Sequence, residues 1–157
     1  MINLLLQDFA GAQCLKHRVL GIAHLVFSPY LCAQLETGRD SGGTSTWGAG
    51  ELQDDWYDGL KTLQGADLSG KTIALFGCGD CSTYSDTFVG GMGELYNGIR
   101  DSGAKFIGSV ETDGYTFDDS EAVIDGKFIG LPLDDINEDD KTDTRIEAWL
   151  TAITPSL

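Results

Sequence analysis

The sequence predicts an α/β fold, a doubly wound parallel sheet with helices on both faces. Two observations carry this. "KTIALFG", Lys71 to Gly77, is a short apolar run entered from "DLSG" and closed by glycine, the pattern of a strand buried on both faces. After it come a loop, a helical spacing, a second apolar run and a final amphipathic helix, the alternation that builds parallel sheets. Right-handed crossovers then place helices on both sides. A chain of 157 residues, 41% of them hydrophobic, is long enough to bury a core of this kind as one domain.

The elements follow in order. Residues 1–43 fit the pattern least. "VLGIAHLVF", Val19 to Phe27, reads as a buried strand or helix, or as sequence foreign to the rest. Lys16 and Arg18 precede it as in a signal peptide, but fifteen residues come before Lys16 and no A-x-A pattern follows. Extending the run to Leu35 takes in Ser28, Pro29 and Gln34, too polar a stretch to span a membrane. "GRDSGG", 38–43, marks a boundary of composition. Beyond the strand at 71–77 lies the loop "CGDCSTYSD". Phe88, Met92, Leu95, Tyr96 and Ile99 then recur at helical spacing, with Ser85 or Asp86 as the N-cap. "DSG", 101–103, stops that helix, Ala104–Val110 is the next strand, and a last helix from about Thr142 presents Ile146, Trp149, Leu150 and Ile153 on one face.

Charge divides the chain at the same boundary. Residues 1–43 hold three acids and three bases; residues 44–157 hold 22 acids and 7 bases, which is the whole net charge of −15. Such a surface argues against nucleic-acid binding, which needs basic side chains, and favours docking on basic partners. In parallel sheets, ligands bind beyond the carboxyl ends of the strands. Two loops meet that description, 44–50 and 78–87, and each carries one large aromatic, Trp47 and Tyr84. These could sandwich a flat ring; the other reading packs both onto neighbouring helices.

Three stretches now combine: "TSTWGAGELQDDW" (44–56), "GKTIALFGCGDCSTYSDTF" (70–88) and "TDGYTFDDSEAVIDGKFIGLPLD" (112–134). In order and spacing they resemble the long-chain flavodoxins, over about residues 44–157. The resemblance implies a sheet of order 2-1-3-4-5 and an insertion from about Thr112 to Lys127. That insertion splits the last strand into Ala104–Val110 and Phe128–Leu133. It further implies a low-potential one-electron carrier holding FMN noncovalently. Ser45, Thr46, Trp47, Gly48, Ala49 and Gly50 would lie on one face of the flavin. Cys78, Gly79 and Asp80 would meet its pyrimidine edge, largely through backbone groups. Tyr84 would stack on the other face, followed by Thr87 and Phe88, and Asp113 would approach the ribityl–phosphate side. Gly48 suits a peptide that turns over with redox state, since glycine tolerates either backbone orientation. The partners implied are basic reductases or oxidoreductases meeting an acidic monomer, with no membrane and no nucleic acid.

One part of the family pattern is missing. The phosphate loop, rich in hydroxyls and glycine between the first strand and first helix, has no counterpart in residues 1–43. "LETGRD", 35–40, offers only a stray Thr-Gly, and the segment before Thr44 is polar and glycine-rich where a strand is expected. Residues 1–43 therefore read as an atypical segment not native to the fold, as from a shifted or misassembled start, and 44–157 as a partial domain incomplete at its N-terminus. The alternative function follows: a degenerate module that no longer binds FMN and acts by protein interaction.

Other chemistry is less well supported. "CGDC", Cys78 to Cys81, is a C-x-x-C that could serve as a thiol redox pair or half a zinc site. Four cysteines with no secretory signal suggest free thiols in a reducing, cytoplasmic compartment. "DDINEDDKTD", 134–143, lacks the glycine and glutamate of a calcium loop and reads as a solvated acidic cap on the last helix. No nucleophile elbow or triad is visible, so no enzyme activity is expected.

Overall fold

A computed structural model of the chain describes residues 2–5, 23–26, 39–47, 51–52 and 54–156, with side chains from residue 57 onward. Among the described residues the strands are β1 (Ile2–Leu5), β2 (Ala23–Val26), β3 (Arg39–Trp47), β4 (Glu51–Leu52), β5 (Thr72–Cys78), β6 (Lys105–Ile107), β7 (Val110–Glu111), β8 (Val123–Ile124), β9 (Lys127–Phe128) and β10 (Leu131–Leu133). The helices are α1 (Asp54–Gly65), α2 (Gly90–Ile99) and α3 (Asp139–Ile153).

The main sheet runs β2-β1-β3-β5, and its next position is filled twice. β6 pairs with the first half of β5, Thr72↔Lys105 to Ala74↔Ile107, and β10 with the second half, Leu131↔Phe76 to Leu133↔Cys78, both parallel. This is the doubly wound order 2-1-3-4-5 with its last strand split, as expected. The halves are shorter than expected. Val110 and Phe128 leave the main sheet and join β7-β9-β8, a small antiparallel sheet within the insertion.

One part of the N-terminal expectation is corrected, that no strand precedes Thr44. Strands β1, β2 and the start of β3 lie within residues 1–43, so each position of the parallel sheet is occupied. Val19–Phe27 contributes the strand Ala23–Val26. The polar "RDSGGTSTW" is itself a strand, paired with β5 from Arg39↔Thr72 to Ser45↔Cys78 and with β1 on its other side. Strand propensity is weak where the ladder is supplied from both neighbours. Glycine inside a strand marks a close approach of another backbone, and α2 lies against β3.

β5 divides the core. Ala74 and Phe76 pack with Leu131, Leu133, Ile146, Trp149 and Ile153 beneath α3. Ile73 and Leu75 point the opposite way, into the cluster of Leu63, Leu68, Phe88, Met92, Leu95, Ile99 and Phe128 under α1, α2 and the insertion. The period of two along one strand thus feeds two layers. α2 starts later than Ser85 or Asp86 would set it: Ser85–Thr87 is a 3-10 turn, and Val89 at φ 48° precedes Gly90 with no side-chain cap. α3 starts one turn earlier than Thr142, at Asp139.

The sheet tolerates no side chain just before β10. A Cβ at Gly130 would sit 2.1 Å from the Leu75 carbonyl oxygen, a backbone atom of β5. Gly130→Ala should therefore push β10 off β5 and cost about 2–3 kcal/mol. Urea unfolding checks this: the midpoint falls while the slope stays constant.

Candidate functional site

Parallel pairing brings two loops to one edge. Ser45 lies beside Cys78 in the ladder, so the chain leaves β3 and β5 side by side. β3 continues through Thr46 and Trp47 and is met antiparallel by β4, Thr46↔Leu52 and Trp47↔Glu51. Ser45, Thr46 and Trp47 are thus strand residues rather than loop residues. Gly48, Ala49 and Gly50 lie outside the described residues.

The loop after β5 is fastened at almost every residue. Gly79 N–H donates to the Leu133 carbonyl at 2.9 Å, continuing the β5–β10 ladder by one bond. No larger residue fits there, because a Cβ would meet Phe88 Cδ2 at 2.9 Å and Val89 N at 3.0 Å. Asp80 Oδ1 accepts the backbone N–H of Ser82 at 3.0 Å and of Thr83 at 2.9 Å. Tyr84 N–H donates to the Asp80 carbonyl, and Thr87 N–H to that of Tyr84. Cys81 N–H donates to Asp134 Oδ2 at 2.9 Å.

The insertion secures the far end. Ser85 Oγ donates to Asp118 Oδ2 at 2.7 Å, and the Ser85 carbonyl accepts from the N–H groups of Asp118 and Asp119. Ser120 Oγ donates to the Phe88 carbonyl at 2.5 Å. The Phe88 ring packs among Tyr115, Phe117 and Phe128. These contacts hold Val89, wholly buried, in a left-handed conformation that a β-branched residue avoids. Tyr84, between the two anchored ends, is 45% exposed. A large aromatic held out to solvent on a fixed backbone, in the loop that leaves β5 where Cys78 pairs with Ser45, is what a stacking wall for a flat ring requires.

The electrostatics are anionic. Hydrogen bonds, that from the Thr83 backbone first and then those of Asn137 and Ser82, bring the Asp80 carboxyl down to about 2 against the opposing effect of burial. Asp134 is fully buried, which opposes its ionisation, but donors on Cys81 and Asn137 outweigh that and hold it below the ordinary carboxylate range. The thiols go the other way. Burial, followed by the charges of Asp135 and Asp134, pushes Cys78 up to about 12; burial and Asp134 push Cys81 up to about 11. Neither is a thiolate near neutral pH, so the pair is poorly suited to thiol exchange.

The structure therefore sets Cys78, Gly79, Asp80, Tyr84, Thr87 and Phe88 on one loop whose first residue, Cys78, pairs with Ser45. Phe88 differs from the others: its side chain, 1% exposed, belongs to the core and anchors the loop. Asp113 is set in the insertion, lining a cavity of about 640 Å³ against α3 together with Tyr115, Arg145 and Trp149. Asp134 and Asn137 were missed because the acidic run 134–143 reads as a solvated cap. An aspartate followed three residues later by asparagine is a turn signal that could have marked them.

A family model described as Flavodoxin matches residues 13–149. The chain belongs to the flavodoxin family. Flavodoxin 1 of Azotobacter vinelandii is 53% identical over 113 residues, covering 71% of this chain and 65% of that protein's length. A Helicobacter pylori flavodoxin is 47% identical over 112 residues, covering 71% of this chain and 67% of its own. The chain thus spans about two thirds of the length of these curated flavodoxins. Among solved structures, a Fusobacterium nucleatum flavodoxin bound to flavin mononucleotide superposes with a TM-score of 0.90 at 26% identity, covering 99% of this chain and 98% of that one. Among the described residues no helix is long and apolar enough to cross a membrane.

The carboxyl of Asp80 gives a pH test. Its folded value, about 2, lies below the unfolded value near 3.9. Its contribution to stability is therefore present above about pH 4 and lost as pH falls towards 2. Urea midpoints of wild type and Asp80→Asn should differ at pH 6 and converge as pH falls to about 2.

Proposed function

We propose that the chain is a low-potential one-electron carrier that holds FMN noncovalently and shuttles electrons between redox enzymes. The observation that carries the reading is the fastened loop after β5, which starts where Cys78 pairs with Ser45 and holds Tyr84 out to solvent. Membership of the flavodoxin family and the FMN-bound Fusobacterium structure support it. When bound, FMN supplies the redox chemistry, accepting and releasing single electrons.

The chain's own residues bind, orient and bias. Ser45, Thr46, Trp47, Gly48, Ala49 and Gly50 line one face of the ring, and Tyr84 stacks on the other. Cys78, Gly79 and Asp80 meet the pyrimidine edge through backbone groups whose positions are set by the bonds to Leu133, Asp134 and Asn137. Thr87 and Phe88 hold the loop behind Tyr84, and Asp113 belongs, by the family resemblance, to the ribityl–phosphate side. An Asp80 ionised at neutral pH opposes further negative charge on the ring, which lowers the potential of the last electron taken up. Residues 44–157 carry the ring contacts; residues 1–43, atypical in sequence, supply β1, β2 and the start of β3.

The carrier is an acidic, cytoplasmic monomer rather than an enzyme, and binds neither nucleic acid nor membrane. With 25 acids and 10 bases it docks on basic reductases or oxidoreductases through weak, salt-sensitive encounters, "ELQDDWYDGL" (51–60) being the edge next to the ring.

Titration of the purified chain into FMN tests the reading. Saturable quenching of flavin fluorescence is expected, with Tyr84→Ala binding about tenfold more weakly through loss of stacking. A colourless protein that leaves the fluorescence unchanged would instead establish the degenerate module. Electron transfer to a basic partner should slow as ionic strength rises; a rate indifferent to salt would refute the docking edge.

A further inference from the structure

The segment between β10 and α3 is given no ring contact in the reading above, yet it is hydrogen-bonded to the loop that has them. Asn137 Nδ2 stands 2.8 Å from Asp80 Oδ1, and 3.1 and 2.9 Å from the two oxygens of Asp134. One neutral amide thus faces two carboxylates from different parts of the chain. Each carboxylate is also committed to backbone. Asp80 holds Ser82 and Thr83, while Asp134 holds Cys81, Ile136 and Asn137 itself. Both are anionic at neutral pH, since both lie below the ordinary carboxylate range.

We propose that Asn137, acting with Asp134, is a positioning residue for the flavin: its amide screens Asp80 from Asp134 and so fixes the peptide groups of residues 79–83 at the pyrimidine edge. The physical reason is direct. Without the Nδ2 hydrogens, two negative charges face each other with no proton between them, and like charges at such range repel. Asp134 cannot move, being fully buried at the end of β10. Asp80, at the surface of the loop, is the one that swings away, and Ser82 and Thr83 lose their acceptor with it. The proposal rests on the FMN reading for its ligand, but the clamp exists in the protein without flavin.

Three variants of the full chain test it. In flavin-free protein, Asn137→Ala should speed amide hydrogen exchange at Cys81, Ser82 and Thr83 by about tenfold or more, the loss of a charge-assisted bond. It should weaken FMN and riboflavin by the same factor, about tenfold, because the ring side is disturbed and the phosphate side is not. Asn137→Asp adds a third carboxylate and should bind still more weakly at pH 7. Its deficit relative to wild type should shrink below about pH 5, where the new carboxyl is protonated and donates in place of the amide. The alanine variant shows no such recovery. Asn137→Gln, which keeps the donor, should exchange and bind closer to wild type than alanine does.

Unchanged exchange in Asn137→Ala would overturn the clamp. Faster exchange with unchanged affinity for both flavins would overturn its role in positioning, as would a loss confined to FMN. If wild type binds neither flavin, the carrier reading falls and the ligand assignment with it, while the exchange rates still decide whether the clamp exists.

Discussion

Asp134 puts a negative charge out of reach of water at the end of the strand that closes the sheet. A carboxylate can be buried there only if donors surround it, and the energy of leaving it unpaired would be several kcal/mol. The structure collects them from two directions: the amides of Ile136 and Asn137 from its own turn, and the amide of Cys81 from the loop after β5, 53 residues earlier in the chain. Satisfying one charge thereby fixes the relation between the turn that starts α3 and the loop that carries Tyr84. The site inherits its geometry from an electrostatic necessity in the frame.

The same turn extends the restraint outward. Glu138, next to Asn137, pairs with Lys141 and with Arg145 Nη1 at 2.7 Å. Arg145 lies over the Tyr115 ring at 4.0 Å and donates to the Gly114 carbonyl. Tyr115 in turn packs with Phe88 and donates to the Pro132 carbonyl. The loop of residues 78–88 is therefore held at its start by β10, in its middle by the Asp134–Asn137 turn, and at its end by the insertion. Arg145 is 14% exposed, so this ion pair is partly shielded and stronger than a surface pair. The redox site proposed above would gain from such rigidity, because a preorganised environment sets the energy of each charge state without rearranging.

The insertion has a structural part in this that its sequence conceals. It splits the last strand, gives up Val110 and Phe128 to its own small sheet, and uses Phe117, Phe128 and Ser120 to hold Phe88 and the strained Val89. Long insertions are tolerated when their ends are close; here they leave and rejoin opposite halves of one neighbour, β5.

The sequence by itself determined the parallel α/β class, the strand Lys71–Gly77, the terminal amphipathic helix, the order of the sheet and the family. These are carried by local periodicity and by a motif contiguous in the chain. It marked Tyr84 and Asp80 as candidates for the same reason. Tertiary structure alone decided that "RDSGG" is a strand, since its ladder comes from β1 and β5 rather than from any propensity of its own. It alone placed Phe88 in the core, moved the start of α2 to Gly90 and turned Asp134 from a solvated charge into a buried anchor. Each of these depends on partners tens of residues away, and no pattern within one segment can report a hydrogen bond or a ring contact whose other half lies in another.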